Sequence, residues 1–232
     1  MTNTHRSLPA RWAQLIAGLL AFAVAIALMI RSGLGLGPWD AFHVGLHLLT
    51  GLSVGVASIV TGLVIVGISI VIGAKPGPGT VANMVLIGVF TDLVLPVLPT
   101  APGWMPGLAY YITGIALMGL ATGMYISAGL GAGPRDGLMA TLSRRYRWSI
   151  QRTRTMIELS ALALGWAMGG KLGIGTILFA VAIGPSVQWG MRVFGLVKTN
   201  GSAATPDVVA AAAALTDEQA SVAASRGATP FP

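Results

Sequence analysis

The chain has 232 residues, of which 54% are hydrophobic and only 9% charged, against roughly a quarter charged in an ordinary soluble domain. That balance sets aside soluble enzymes and nucleic-acid binders and points to an integral membrane protein, so the net charge of +7 is read as a topology signal rather than as a footprint for nucleic acid. With no cysteine, neither a disulfide framework nor a thiolate metal site is available.

In chain order, a polar arm (1–11) precedes the first apolar run, Trp12 to Ile30. Behind Arg6 and Arg11 this run has the look of a signal peptide. It aligns, however, with the internal run Gly107 to Ser127, so it is expected to remain as a span. Next comes Gly33-Leu-Gly-Leu-Gly-Pro-Trp-Asp40, which returns 96 positions later as Gly129-Leu-Gly-Ala-Gly-Pro-Arg-Asp136 with six of eight positions identical. The same offset places Lys75-Pro-Gly-Pro-Gly-Thr80 on Lys171-Leu-Gly-Ile-Gly-Thr176. A fixed internal period means that one structural unit is used twice.

Each unit divides into four segments. Spans are expected near 12–31, 53–73 and 79–98, and again near 107–127, 149–169 and 175–195, each with about the 20 apolar residues that cross a bilayer core. The segments after the octapeptides, 38–50 and 134–146, cover only about 20 Å at about 1.5 Å per residue, which suits a re-entrant or interfacial helix. Three crossings per unit turn the second unit over relative to the first. The expected fold is therefore an all-α polytopic membrane protein of two inverted repeats, each with three spans plus one short helix. Arg6, Arg11, Lys75, Arg135, the cluster from Arg144 to Arg154, Arg192 and Lys198 then share the cytoplasmic side with both termini, while the uncharged linker 99–106 lies outside. Arg31 and Lys171 break this pattern. If the short helices crossed, there would be eight spans and a parallel repeat. The domain reading is a cytoplasmic arm 1–11, repeats 12–98 and 107–197 joined by the linker 99–106, and a disordered tail 198–232, whose Ala- and Ser-rich composition cannot bury a core.

Candidate site residues cluster at the octapeptides. Gly35, Gly37, Gly131 and Gly133 permit unusual backbone and close approach, and Pro38 suits a first helical position. Asp40 and Asp136 follow in the first turn, where a carboxylate either caps free amides or, if both short helices face one cavity, binds a solute or ion. Trp39 and Arg135 occupy the equivalent position beside them. His43 and His47 share a helix face with Asp40; their repeat partners are Met139 and Ser143, so a metal is not part of the repeated design and none is expected. Asp92 and Glu158 are the acids inside full spans, costly there and hence candidates for function; Arg154, four residues before Glu158, offers an ion pair. Gly119 and Gly123, and likewise Gly165 and Gly169, mark close helix packing. The Lys-x-Gly-x-Gly-Thr motifs are read as tight interfacial turns. No phosphate loop, cofactor motif or catalytic constellation is present, so neither an enzyme nor a cofactor is expected.

The doubled Gly-Leu-Gly-x-Gly-Pro-x-Asp and the Lys-x-Gly-x-Gly-Thr turn resemble the YczE/YitT group of bacterial integral membrane proteins, over roughly residues 12–196. The resemblance implies a multi-pass protein of the bacterial plasma membrane and transfers no substrate or catalytic residue. The expected function is a small secondary transporter or exporter of an unidentified small solute, with its site between the repeats and the bilayer and that solute as partners. The alternative is a non-transporting accessory or regulatory membrane protein. A homo-oligomer is compatible with either.

Overall fold

The computed structural model describes residues 7–74 and 76–196. The arm before residue 7, Lys75, Lys198 and the expected tail lie outside the described residues. Among the described residues there are eight helices and no strand: α1 Leu8–Ser32, α2 Pro38–Thr50, α3 Val54–Val71, α4 Pro78–Val94, α5 Trp104–Ser127, α6 Pro134–Tyr146, α7 Ile150–Ala167 and α8 Ile174–Val193. The two halves repeat helix for helix. The boundaries of α2 and α6, and of α3 and α7, are each displaced by the 96 residues of the sequence repeat.

Local chemistry explains these boundaries. Proline stands at the start of α2, α4 and α6, where its missing amide costs nothing and its φ is already helical. The twin serines Ser53 and Ser149 cap α3 and α7 by accepting from Val56 N and Arg152 N. Gly51 ends α2 in the left-handed region, and Arg147 takes the same conformation at the end of α6 with φ 55°.

The expectation of six spans is met in part. Four helices, α1, α3, α5 and α8, are long and apolar enough to cross a membrane by length and composition. Of the other two, α4 is apolar but has 17 residues, and α7 carries Arg152, Arg154 and Glu158 within its 18 residues. The short helices α2 and α6, 13 residues each, have the bounds predicted from sequence.

At the centre α1 packs on α5, with α4 against α1 and α8 against α5. The core of Leu15, Leu19, Met29, Tyr111, Ile115 and Met191 lies in these contacts. Small residues let the axes approach: Gly18 abuts Tyr125, and Gly119 and Gly123 abut Ser186 and Gly190 of α8. The short helices cross over, α2 packing on α7 and α6 on α3, and Gly165 of α7 lies against the backbone of Ala41 and Phe42. Arg31, an exception to the charge pattern, donates from Nε and Nη2 to the Leu95 carbonyl at 3.0 and 2.6 Å. It satisfies the frayed end of α4 rather than reporting topology.

The octapeptide loops are held by the opposite unit. Gly175 N donates to Leu34 O at 2.8 Å and Thr176 Oγ1 to Leu36 O at 2.8 Å. In the twin arrangement Gly79 N donates to Leu130 O at 2.8 Å and Thr80 Oγ1 to Ala132 O at 2.6 Å. The Gly-Thr pairs read from sequence as plain turns are thus docking elements for the glycine loops. Gly35, at φ 115°, sits so close to Gly173 that a Cβ would lie 2.5 Å from its amide nitrogen.

Gly35→Ala therefore meets both left-handed strain, about 1–3 kcal/mol, and a backbone collision. It is expected to lower the thermal midpoint in detergent sharply. Gly67→Ala, on α3 where a Cβ meets nothing within 4 Å, is expected to be neutral or slightly stabilising; equal midpoints for the two variants would refute the docking account.

Candidate functional site

A cavity of about 140 Å³ opens where the first turns of α2 and α6 meet α3, α4, α5, α7 and α8. Its walls are built from equivalent positions of the two units. Phe22 and Met118, Gly37 and Gly133, Trp39 and Arg135, Asp40 and Asp136, Ser58 and Arg154, Gly62 and Glu158, Asn83 and Phe179, and Ile87 and Ile183 all line it, and the members of each pair are 96 residues apart. Tyr125 and Thr122 of α5 complete the polar surface.

The equivalent residues Trp39 and Arg135 meet directly, the guanidinium lying 4.3 Å from the indole centroid. Arg135 Nη2 also reaches His43 Nε2 at 3.4 Å. His43 is buried to 2% exposure beside the rings of Trp39 and Phe42. Tyr125 Oη donates to Asp136 Oδ2 at 2.9 Å. Arg154 Nε and Glu158 Oε1 form the intrahelical ion pair anticipated from their spacing, at 2.8 Å. Asp40, only 5% exposed, lines the cavity within electrostatic reach of Arg135 and Tyr111. Among the described residues no hydrogen bond or ion pair engages its carboxylate.

Of the two readings of the aspartates, capping finds no hydrogen bond among the described residues. The N-caps are Gly37 and Gly133, and neither α2 nor α6 has a side-chain capping bond. Each aspartate stands at the third helical position and is directed into the cavity. Of the residues singled out from sequence, Gly37, Trp39, Asp40, Gly133, Arg135, Asp136 and Glu158 line the cavity, and His43 stands behind Arg135. Gly35 and Gly131 do not line it; they face Gly173 and Thr80 in the cross-unit docking. His47 leaves the group, its Nδ1 paired with Leu52 O at 2.5 Å, and among the described residues no set of three His, Asp or Glu side chains is placed to hold a metal. Asp92 is absent from the lining: it accepts from Ser53 Oγ and from Gly55 N, the latter at 2.7 Å, and so serves the start of α3. Sequence reasoning passed over Tyr125, Asn83 and Ser58. Asn83, a buried amide in an apolar helix, was the available signal.

This geometry defines a class, a helical membrane protein with a charged cavity between two repeated units. Residues 9–192 match the family described as "Family of unknown function (DUF6198)", and the chain belongs to that family. It is 43% identical over 176 residues to the uncharacterized membrane protein YczE of Bacillus subtilis (strain 168), covering 75% of this chain and 82% of the relative. An uncharacterized protein of Haemophilus influenzae is 32% identical over 180 residues, 75% of this chain and 83% of the relative. The uncharacterized protein YyaS of B. subtilis is 29% identical over 165 residues, covering 69% and 82%. The likeness to YczE expected from the octapeptides is borne out. No solved structure matches the chain significantly.

Asp92 and Asp40 are expected to separate in mutagenesis. Asp92→Ala strands the Gly55 amide and lowers stability by about 1–3 kcal/mol, roughly 2–4 °C per kcal/mol for a chain of this size. Asp40→Asn removes a buried charge that holds no hydrogen bond and is expected to leave the midpoint unchanged or to raise it. A larger loss at Asp40 than at Asp92, measured by thermal unfolding in detergent, would contradict these assignments.

Proposed function

We propose that the protein is a small secondary transporter or exporter of the bacterial plasma membrane, with its solute site in the shared cavity and no catalytic step. The observation that carries this reading is the lining itself. Eight pairs of equivalent positions from the two units wall one shared space, which is the arrangement that lets two units rock about a common site and open it alternately to either side. Charged side chains held among apolar helices support it, since such groups are expensive and mark solute or ion pathways. The size fits a small solute, as a cavity of about 150 Å³ takes a benzene-sized molecule. In this reading the units are inverted in the membrane, with both termini and the basic loop before α7 cytoplasmic and the linker 99–106 outside.

Two measurements test it. In this cysteine-free chain, Ala101→Cys and Trp148→Cys are expected to label from opposite sides of the membrane; labelling from the same side refutes the inversion. For transport, a thermal-shift screen of small metabolites on the purified protein is expected to return a ligand worth about 2.7 kcal/mol at a concentration of roughly 100 Kd. That ligand should then cross proteoliposomes containing the protein. A ligand that binds but never crosses would favour an accessory or regulatory role.

A further inference from the structure

We propose that the cavity takes a small organic monocation, an alkylammonium whose charge is held by Asp40 and which competes with the Arg135 guanidinium for the face of Trp39. This rests on the reading of the cavity as a solute site and names the chemistry of that solute.

The charges around the cavity do not balance. Its lining carries three carboxylates, Asp40, Asp136 and Glu158, against two guanidiniums, Arg135 and Arg154. Glu158 is committed to Arg154 and Asp136 to the Tyr125 hydroxyl. Arg135 is committed to Trp39 and His43. Asp40 remains, nine-tenths buried and directed into the space, with no hydrogen bond or ion pair among the described residues. A buried carboxylate with no hydrogen bond, and with only the Arg135 guanidinium in electrostatic reach, is costly, and a positive ligand charge relieves it.

The alternatives fit less well. For an anion the attractive features are the two helix N-termini and Arg135. Each N-terminus, however, already carries its own aspartate in the first turn, and Arg135 is engaged. A neutral solute leaves Asp40 uncompensated. A metal ion lacks a ligand set among the described residues. Among Met, Ile and Val side chains the lining also carries four aromatic ones, Phe22, Trp39, Tyr125 and Phe179. Aromatic faces beside a carboxylate recognise ammonium groups, because the ring quadrupole attracts a cation at little desolvation cost. The protein already demonstrates this at Trp39, where its own guanidinium occupies the ring at cation–π distance. Arg135 therefore acts as a tethered stand-in that covers the Trp39 ring and yields its place when the solute arrives.

The test uses the full-length protein in detergent at fixed ionic strength, with tetramethylammonium, methylammonium and propylammonium as probes. Tert-butanol and pivalate, close to tetramethylammonium in shape, serve as neutral and anionic controls. At least one ammonium probe is expected to bind with a change in tryptophan fluorescence that Trp39→Phe diminishes, and the controls are expected not to bind. Asp40→Asn should weaken the probe roughly thirtyfold or more, as loss of one partner of a buried charge pair does. Arg135→Gln should tighten it, because the internal competitor is gone. The Arg135 variant decides the matter even if Asp40→Asn fails to fold, since a purely structural arginine, or one that binds an anion, predicts weaker binding. Binding of pivalate alone, with loss in Arg135→Gln, overturns the cation assignment and leaves the transporter reading standing. An ammonium probe that binds but is not carried across proteoliposomes supports the assignment and sinks the transporter reading. No binding by any ammonium probe overturns the inference.

Discussion

The structure depends on the way each glycine loop surrenders its carbonyls to the other half of the chain. A broken helix inside an apolar bundle leaves backbone groups that neither water nor lipid can satisfy. Here Leu34 O and Leu36 O are met by Gly175 N and Thr176 Oγ1, and Leu130 O and Ala132 O by Gly79 N and Thr80 Oγ1. Glycine is needed on both sides of this joint, because Gly35 and Gly173 approach to a distance that excludes a Cβ. Arg11 adds a further clamp on the second loop by donating to Ala128 O at 2.8 Å and to Gly129 O. Once the loops are fixed, the first turns of α2 and α6 can point into the protein, toward the cavity they share.

The same joint sets the electrostatics of the cavity. Because α2 packs on α7 and α6 on α3, equivalent positions face each other across one space while their chemistry differs. The first unit contributes Ser58 and Gly62 where the second contributes Arg154 and Glu158. The ion pair occupies one wall, and the opposite wall gains room. Symmetry of backbone with asymmetry of side chain gives a cavity whose polar groups are mostly engaged with one another and whose free carboxylate lies on one side.

Much of this was legible before the structure. The 96-residue offset gave two units, and α2 and α6 begin and end where the proline starts and the short apolar lengths put them. Seven of the candidate residues line the cavity, because a charge or a special turn inside an apolar run has few uses. What escaped the sequence was contact between segments far apart in the chain. Thr176 and Leu36 are 140 positions apart, and nothing periodic links them. Arg31 looked like a topology error because a side chain that caps a distant helix end has no local signature. For Asp40 and Asp136 both capping and a place in a cavity stayed open, because spacing alone does not tell which way a first-turn carboxylate turns. Asp92, equally buried in an apolar run by sequence, turned out to be the acid that serves a helix start.

The meeting of Trp39 with Arg135 has a bearing on the history of the chain. In a symmetric pair of identical copies, a residue that lies on the axis meets itself. Two arginines there would repel across a few ångströms of poorly hydrated space, and two tryptophans would leave the neighbouring carboxylates without a cation. The unlike pair is open only to halves that differ in sequence, as the two units of this chain do. Divergence of the two units thus lets a single guanidinium, rather than none or two, stand where their equivalent positions meet.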